Sequence, residues 1–209
     1  MDFTLITDRL ELPRKGAEKN REPGVHVTDI IRDLGRKLGF SREKDGPFGS
    51  YDTAAMDMGF LFEDALEYAL KDRMAIRPEK AWCVDGIWLS PDGVRAGEYN
   101  GEPIPVMYLE EYKLTWRSSR SHSVEDDWNW CTQIKAYLYA GAMTKCILRI
   151  LYVVGDYGIR ERKDGSLYAK YGAIPGPDYK EYLIECDQGE LDANWKMLVD
   201  HARSLGWIE

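Results

Sequence analysis

The spacing of apolar residues changes along this chain, and that change limits the folds open to it. Near the start, Ile30, Ile31, Leu34 and Leu38 recur with helical spacing, with Thr28 placed to cap the helix and Gly39 to end it. Residues 40–50, with Gly46-Pro47-Phe48-Gly49, read as a loop. A second helix is predicted over about 53–73, where Met58, Leu61, Phe62, Ala65, Leu66, Ala69 and Leu70 form a wide apolar stripe. From Ala81 to Ser90 the pattern is strand-like, and Pro91-Asp92-Gly93 is a turn signal. Residues 95–105 read as a glycine- and proline-rich loop, 106–116 as a second strand and 117–123 as a polar basic loop. A helix follows over about 125–143, then an apolar run at 147–155 short enough to be a buried strand. Turn residues at 163–166, a strand at 181–186 and a last helix carrying Leu191, Trp195, Leu198, Ala202 and Leu205 complete the chain. Helices interleaved with strands predict an α/β fold, a central mixed β-sheet flanked by helices.

The length of 209 residues suits one domain, placed at 25–209, preceded by an N-terminal arm at 1–24 whose residues 14–24 are polar. There is no run of 18 apolar residues, so no membrane-spanning helix is expected, and no secretory signal is visible. The net charge of −8 argues against a protein that coats nucleic acid by bulk positive charge, although an enzyme acting on nucleic acid needs only a local basic strip. Cys83, Cys131, Cys146 and Cys186 lie 48, 15 and 40 residues apart, with no C-x-x-C pair. They are expected to be free, largely buried thiols in a reducing compartment rather than zinc or iron–sulfur ligands. His26, His122 and His201 are isolated, which disfavours a zinc hydrolase, and no phosphate-binding glycine loop with Lys-Ser/Thr is present.

Four local features carry possible chemistry. Glu111-Tyr112-Lys113 on a strand would put a carboxylate and an ammonium on one face, because residues i and i+2 point the same way. Asp85 on the preceding strand would meet Glu111 if the two strands pair. Asp92 is its rival, although Ser90-Pro91-Asp92-Gly93 has the composition of a turn in which Asp needs no metal. Glu63 lies at the edge of the apolar stripe of the second helix. Gln133 and Tyr137, at i and i+4, share a face of the third helix. Each feature alone has a plain reading: a surface ion pair, a turn, a solvated Glu, a helix margin. Together, carboxylate oxygens suit Mg²⁺ or Mn²⁺, and such ions with a lysine serve phosphodiester hydrolysis.

The ordered set resembles the PD-(D/E)XK nuclease superfamily, in its RecB-like and bacteriophage lambda exonuclease-like branches. Those families carry a helical acidic residue, a strand Asp, an E-x-K on the next strand and a helical Q-x-x-x-Y. Here the series reads Glu63, Asp85, Glu111-Tyr112-Lys113 and Gln133-Ile134-Lys135-Ala136-Tyr137, with gaps of 22, 26 and 22 residues. Gly59 and Glu63 match the G-x-x-x-E part of the helical motif. The stretch from Asp85 to Glu111 is longer than in compact members, which leaves Asp92 open as the second ligand.

The resemblance implies a restriction-endonuclease-like core. It implies that Glu63, Asp85, Glu111 and the Tyr112 carbonyl bind Mg²⁺ or Mn²⁺, with Lys113, Glu111 and Asp85 catalytic. Gln133 and Tyr137 would position the substrate, and Trp116, Arg117 and Arg120 would contact DNA. The implied activity is that of a divalent-metal-dependent deoxyribonuclease, a phage-type exonuclease in recombination or DNA processing. An endonuclease on the same fold and a non-catalytic DNA-binding module are the alternatives. DNA is the expected partner, beside a homo-oligomer or a phage recombination protein, in the cytoplasm of a bacterium or an infected host.

Overall fold

The computed structural model describes residues 22–40, 50–69, 76–99, 102–117, 119, 122–153, 159–169 and 178–209. Residues 1–21 of the expected arm lie outside them, as does Arg120. The chain enters through a two-residue strand, β1 (Val25–His26), directly into helix α1 (Val27–Lys37). Because β1 pairs in parallel with a later strand, the helix starts at Val27. His26 takes the N-cap position without a side-chain cap bond, and Thr28 does not cap. Val27, Ile30, Ile31 and Leu34 are buried, and Asp29 and Arg36 sit at the ends where they complement the helix dipole. Helix α2 (Ser50–Ala69) follows. Of the described residues of its predicted stripe, only Phe62 and Leu66 are buried; Met58 and Leu61 are exposed, and Leu70 lies outside the described residues.

The region read as one strand at 81–90 is two, β2 (Trp82–Val84) and β3 (Ile87–Leu89). They form a hairpin in which Val84 faces Ile87 and Asp85-Gly86 makes the two-residue loop. Both loop residues have positive φ, +50° and +77°, the conformation that an Asp-Gly pair favours in such turns. Asp85 is therefore the corner of a turn, not part of a continuing strand. The stretch read as a loop at 95–105 is also different: strands β4 (Gly93–Tyr99) and β5 (Glu102–Thr115) form a long hairpin. A register shift at Ala96/Gly97 absorbs the glycine. The prolines are tolerated because β5 pairs with its other neighbour only from Leu109 onward.

Helix α3 (Trp128–Ala140) leads to β6 (Lys145–Tyr152), then come the short hairpin β7 (Ile159–Glu161) and β8 (Leu167–Ala169), strand β9 (Asp178–Glu185) and helix α4 (Gln188–Ser204). The main sheet has the order β4-β5-β6-β9, with β5 and β6 parallel and the other pairs antiparallel; β1, β3 and β2 form a second small sheet. The protein is thus α/β, with mixed sheets flanked by helices. Asp187 and Glu190 close a capping box at the start of α4.

The two faces of the main sheet differ. Helices α1, α3 and α4 share one hydrophobic cluster with Leu109, Cys146, Leu148 and Ile150 of the sheet. Each such fully buried aliphatic side chain stabilises the fold by about 1.5–3 kcal/mol. On the opposite face, Phe62 and Leu66 of α2 pack on Tyr112. Beside them Glu110, with no exposed surface, accepts from Arg149, from the Tyr112 hydroxyl at 2.8 Å and pairs with Arg95 at 3.0 Å. Arg149 also pairs with Glu181. That carboxylate is thus fully engaged in holding the sheet.

The four cysteines are free, as expected; Cys146 and Cys186 are buried, Cys131 is half-buried and Cys83 is exposed. Among the described residues no helix is long and apolar enough to cross a membrane.

Candidate active site

Strand alternation puts Glu111 and Lys113 of β5 on the face that is otherwise apolar. Their register partners on β6 are Leu148 and Ile150, both fully buried. Burying a carboxylate and an amine there is costly unless they are paired. The Lys113 Nζ donates to Glu111 Oε1 at 2.5 Å and to Gln133 Oε1 of α3 at 3.0 Å. Gln133 Nε2 in turn donates to the Tyr137 hydroxyl at 2.9 Å, so both predicted helical residues stand on the lysine side of the site. Glu111 is only 2% exposed, yet its Oε2 has no hydrogen-bond partner among the described residues.

The second carboxylate is Asp92. It lies immediately before β4, whose pairing with β5 begins at Gly93 and Glu110. Just beyond that pair the β4 side of β5 is open, and Tyr112 N–H donates to Asp92 Oδ2 at 2.8 Å. The N–H and C=O of one strand residue point to the same side, so the Tyr112 carbonyl faces this open edge as well. Asp85, by contrast, accepts from the Trp195 indole Nε1 at 2.8 Å, which ties the β2–β3 turn to α4. The expectation that Asp85 meets Glu111 is overturned: its turn directs it to α4, and Asp92 takes the place beside β5.

Glu63 of α2 reaches the same region through Arg77. The Arg77 Nη2 lies 2.7 Å from Glu63 Oε2 and 3.5 Å from Asp92 Oδ1. Sequence reasoning missed Arg77. It is positioned by an isolated antiparallel bridge between Ile76 and Val94, for which the local sequence offers no signal. Trp116 is exposed just past the end of β5, and the Arg117 guanidinium pairs with Asp127 at 3.1 Å. Asp127 also caps α3 by accepting from the Trp130 N–H at 3.1 Å, and its Oδ2 lies 2.9 Å from His122 Nε2.

The electrostatics are those of crowded acids. Burial, then the Glu111 charge, pushes the Asp92 carboxyl up to about 7. Burial also raises Glu111, although Lys113 pulls it back, and burial followed by the Asp92 charge raises Glu63. Burial alone would depress Lys113, but Glu111 and Asp92 outweigh it and hold the amine charged. Among the described residues, no three His, Cys, Asp or Glu side chains yet converge closely enough to hold an ion: Arg77 and Lys113 stand among the carboxylates. The donor set still fits a hard divalent cation, because it offers carboxylate oxygens, an orphaned buried Glu111 Oε2 and a strand-edge carbonyl.

A pH dependence follows. The folded Asp92 holds its proton up to about 7, whereas the unfolded residue releases it near 3.8, the ordinary value for an aspartate. Stability from this group is thus complete below the unfolded value and is lost as pH rises through about 7, at up to about 1.4 kcal/mol per pH unit. Glu63 and Glu111 act in the same direction. In chelator, denaturant unfolding of wild type minus that of Asp92→Asn should show this loss between about pH 4 and 7. A difference that is flat or rises with pH would refute it.

No family model matches the sequence, and no curated protein does. Two solved structures are similar in architecture. One is a phage-related exonuclease from Haemophilus somnus, at 13% identity over 85% of this chain and 79% of that chain, with a TM-score of 0.45. The other is an alkaline exonuclease from Laribacter hongkongensis, at 14% identity over 88% of each chain, with a TM-score of 0.49.

Proposed function

We propose that this chain is a divalent-metal-dependent nuclease that hydrolyses phosphodiester bonds in DNA, acting as an exonuclease in phage-type recombination or DNA processing. The observation that carries this reading is the buried Glu111, whose one oxygen is bound by Lys113 and whose other oxygen has no partner among the described residues, on an otherwise apolar sheet face. A fold gains nothing from leaving such an oxygen unsatisfied unless something binds there. Glu111, Asp92 and Glu63, with the Tyr112 carbonyl, are the residues that would hold Mg²⁺ or Mn²⁺. Held there, such an ion would offset the negative charge of the phosphodiester and would lower the pKa of the attacking water.

The other roles belong to side chains. Lys113, kept charged by Glu111 and Asp92, stabilises negative charge as it builds on the phosphoryl oxygens. Gln133 fixes the direction of the lysine amine, and Tyr137 fixes Gln133. Trp116, Arg117 and Arg120 are the candidates for stacking on bases and contacting phosphates, the local cations that an acidic DNA enzyme needs.

Labelled linear duplex, linear single strand and covalently closed circle, each with Mg²⁺, Mn²⁺ or chelator, test the reading. Linear DNA should be degraded only with a divalent ion, and the closed circle should survive. Degradation of the circle would replace the exonuclease assignment with an endonuclease, and inert DNA under every condition would end the nuclease reading.

A further inference from the structure

Arg77 occupies an unusual place. One nitrogen of its guanidinium sits between Glu63 and Asp92, and its Nε lies 3.4 Å from the Asp92 backbone carbonyl. It therefore neutralises two of the three crowded carboxylates. Its side chain is 41% exposed and lines a cavity of about 670 Å³ that opens from these carboxylates. That volume lies within the range of small-ligand sites, about 300–1,000 Å³. The walls include Glu63 and Asp92 at the acidic end, then Lys80, His26, Trp88 and Tyr137.

We infer that Arg77 is an exchangeable counter-ion, which shields Glu63 and Asp92 until a divalent cation takes them and then holds a phosphate group of the DNA in the adjoining cavity. The inference rests on the nuclease reading. Its physical basis is competition. A divalent cation and a guanidinium cannot both sit against the same two carboxylates without strong mutual repulsion, so ion entry releases the arginine. A released guanidinium beside a cavity is well suited to phosphate, whose oxygens match its fork of donors. The same side chain would thus offset repulsion among the carboxylates before an ion arrives and couple metal loading to substrate binding.

The test uses the full chain, stripped of metal by chelator, as wild type, Arg77→Met, Arg77→Gln and Arg77→Lys. Calorimetric titration with Mn²⁺ at pH 8 should show the Met and Gln variants binding about tenfold more tightly than wild type, and Lys close to wild type. Fluorescence anisotropy with a short duplex, with Ca²⁺ replacing Mg²⁺ to hold off cleavage, should show about tenfold weaker DNA binding for Met and Gln. Without divalent ions the same substitutions should change DNA affinity less than about threefold, because Arg77 is then engaged by the carboxylates. Mn²⁺ affinity that stays level or falls in the neutral variants would overturn the counter-ion role, and unchanged DNA affinity in Ca²⁺ would overturn the phosphate role. If wild type and variants alike take up no Mn²⁺, the nuclease reading itself fails and the inference goes with it.

Discussion

Lys113→Met is expected to lower DNA cleavage by roughly 1,000-fold, because it removes the half-buried ammonium that sits against Glu111 in the carboxylate cluster. The same substitution strands Glu111 on an apolar face. Leaving a buried partner unpaired costs about 3–5 kcal/mol when the charge persists. Glu111 has a way out, since burial already raises its pKa and it can take a proton instead. The single variant should therefore be least stable at alkaline pH. Adding Glu111→Gln should recover much of the stability and none of the activity. Urea unfolding and a linear-duplex cleavage assay on the single and double variants check both halves. A Lys113→Met protein that degrades DNA at the normal rate would remove the catalytic assignment, whatever its stability.

The second large effect separates two aspartates that look alike in sequence. Asp92→Asn should abolish cleavage to a similar extent, about 1,000-fold, because it removes charge from the carboxylate held at the open edge of β5. Asparagine keeps an oxygen for the Tyr112 N–H, so the fold should survive. Asp85→Asn should leave cleavage within about threefold and stability within about 1 kcal/mol. Asparagine tolerates the left-handed backbone at +50° and still accepts from the Trp195 indole. Loss of cleavage in Asp85→Asn with full activity in Asp92→Asn would reverse the reading of the site.

These two aspartates show how far the sequence can be read. Each precedes a glycine, in Asp85-Gly86 and Asp92-Gly93, and each has the chemistry of a turn. What separates them is pairing. Val84 meets Ile87, so Asp85 becomes a hairpin corner, whereas Gly93 meets Glu110, so Asp92 lands beside Tyr112. Glu111 and Lys113 were legible because a strand's period of two is a local property, and Gln133 and Tyr137 because a helix's i, i+4 neighbours are local as well. The hairpin at 93–115 was hidden because its glycines and prolines signal a loop. The register shift at Ala96/Gly97 and one-sided pairing, which accommodate them, appear only when the partner strands are present.

The sequence by itself determined the alternation of helices and strands, the charged pair on β5 and the helical Gln and Tyr that serve it, all of which follow from periodicity within a few residues. Only the tertiary structure decided which aspartate joins Glu111, that Arg77 enters the site and that Glu111 keeps one oxygen without a partner among the described residues. Those outcomes depend on strand register and on a single bridge between Ile76 and Val94, contacts between residues distant in the chain that no local period encodes.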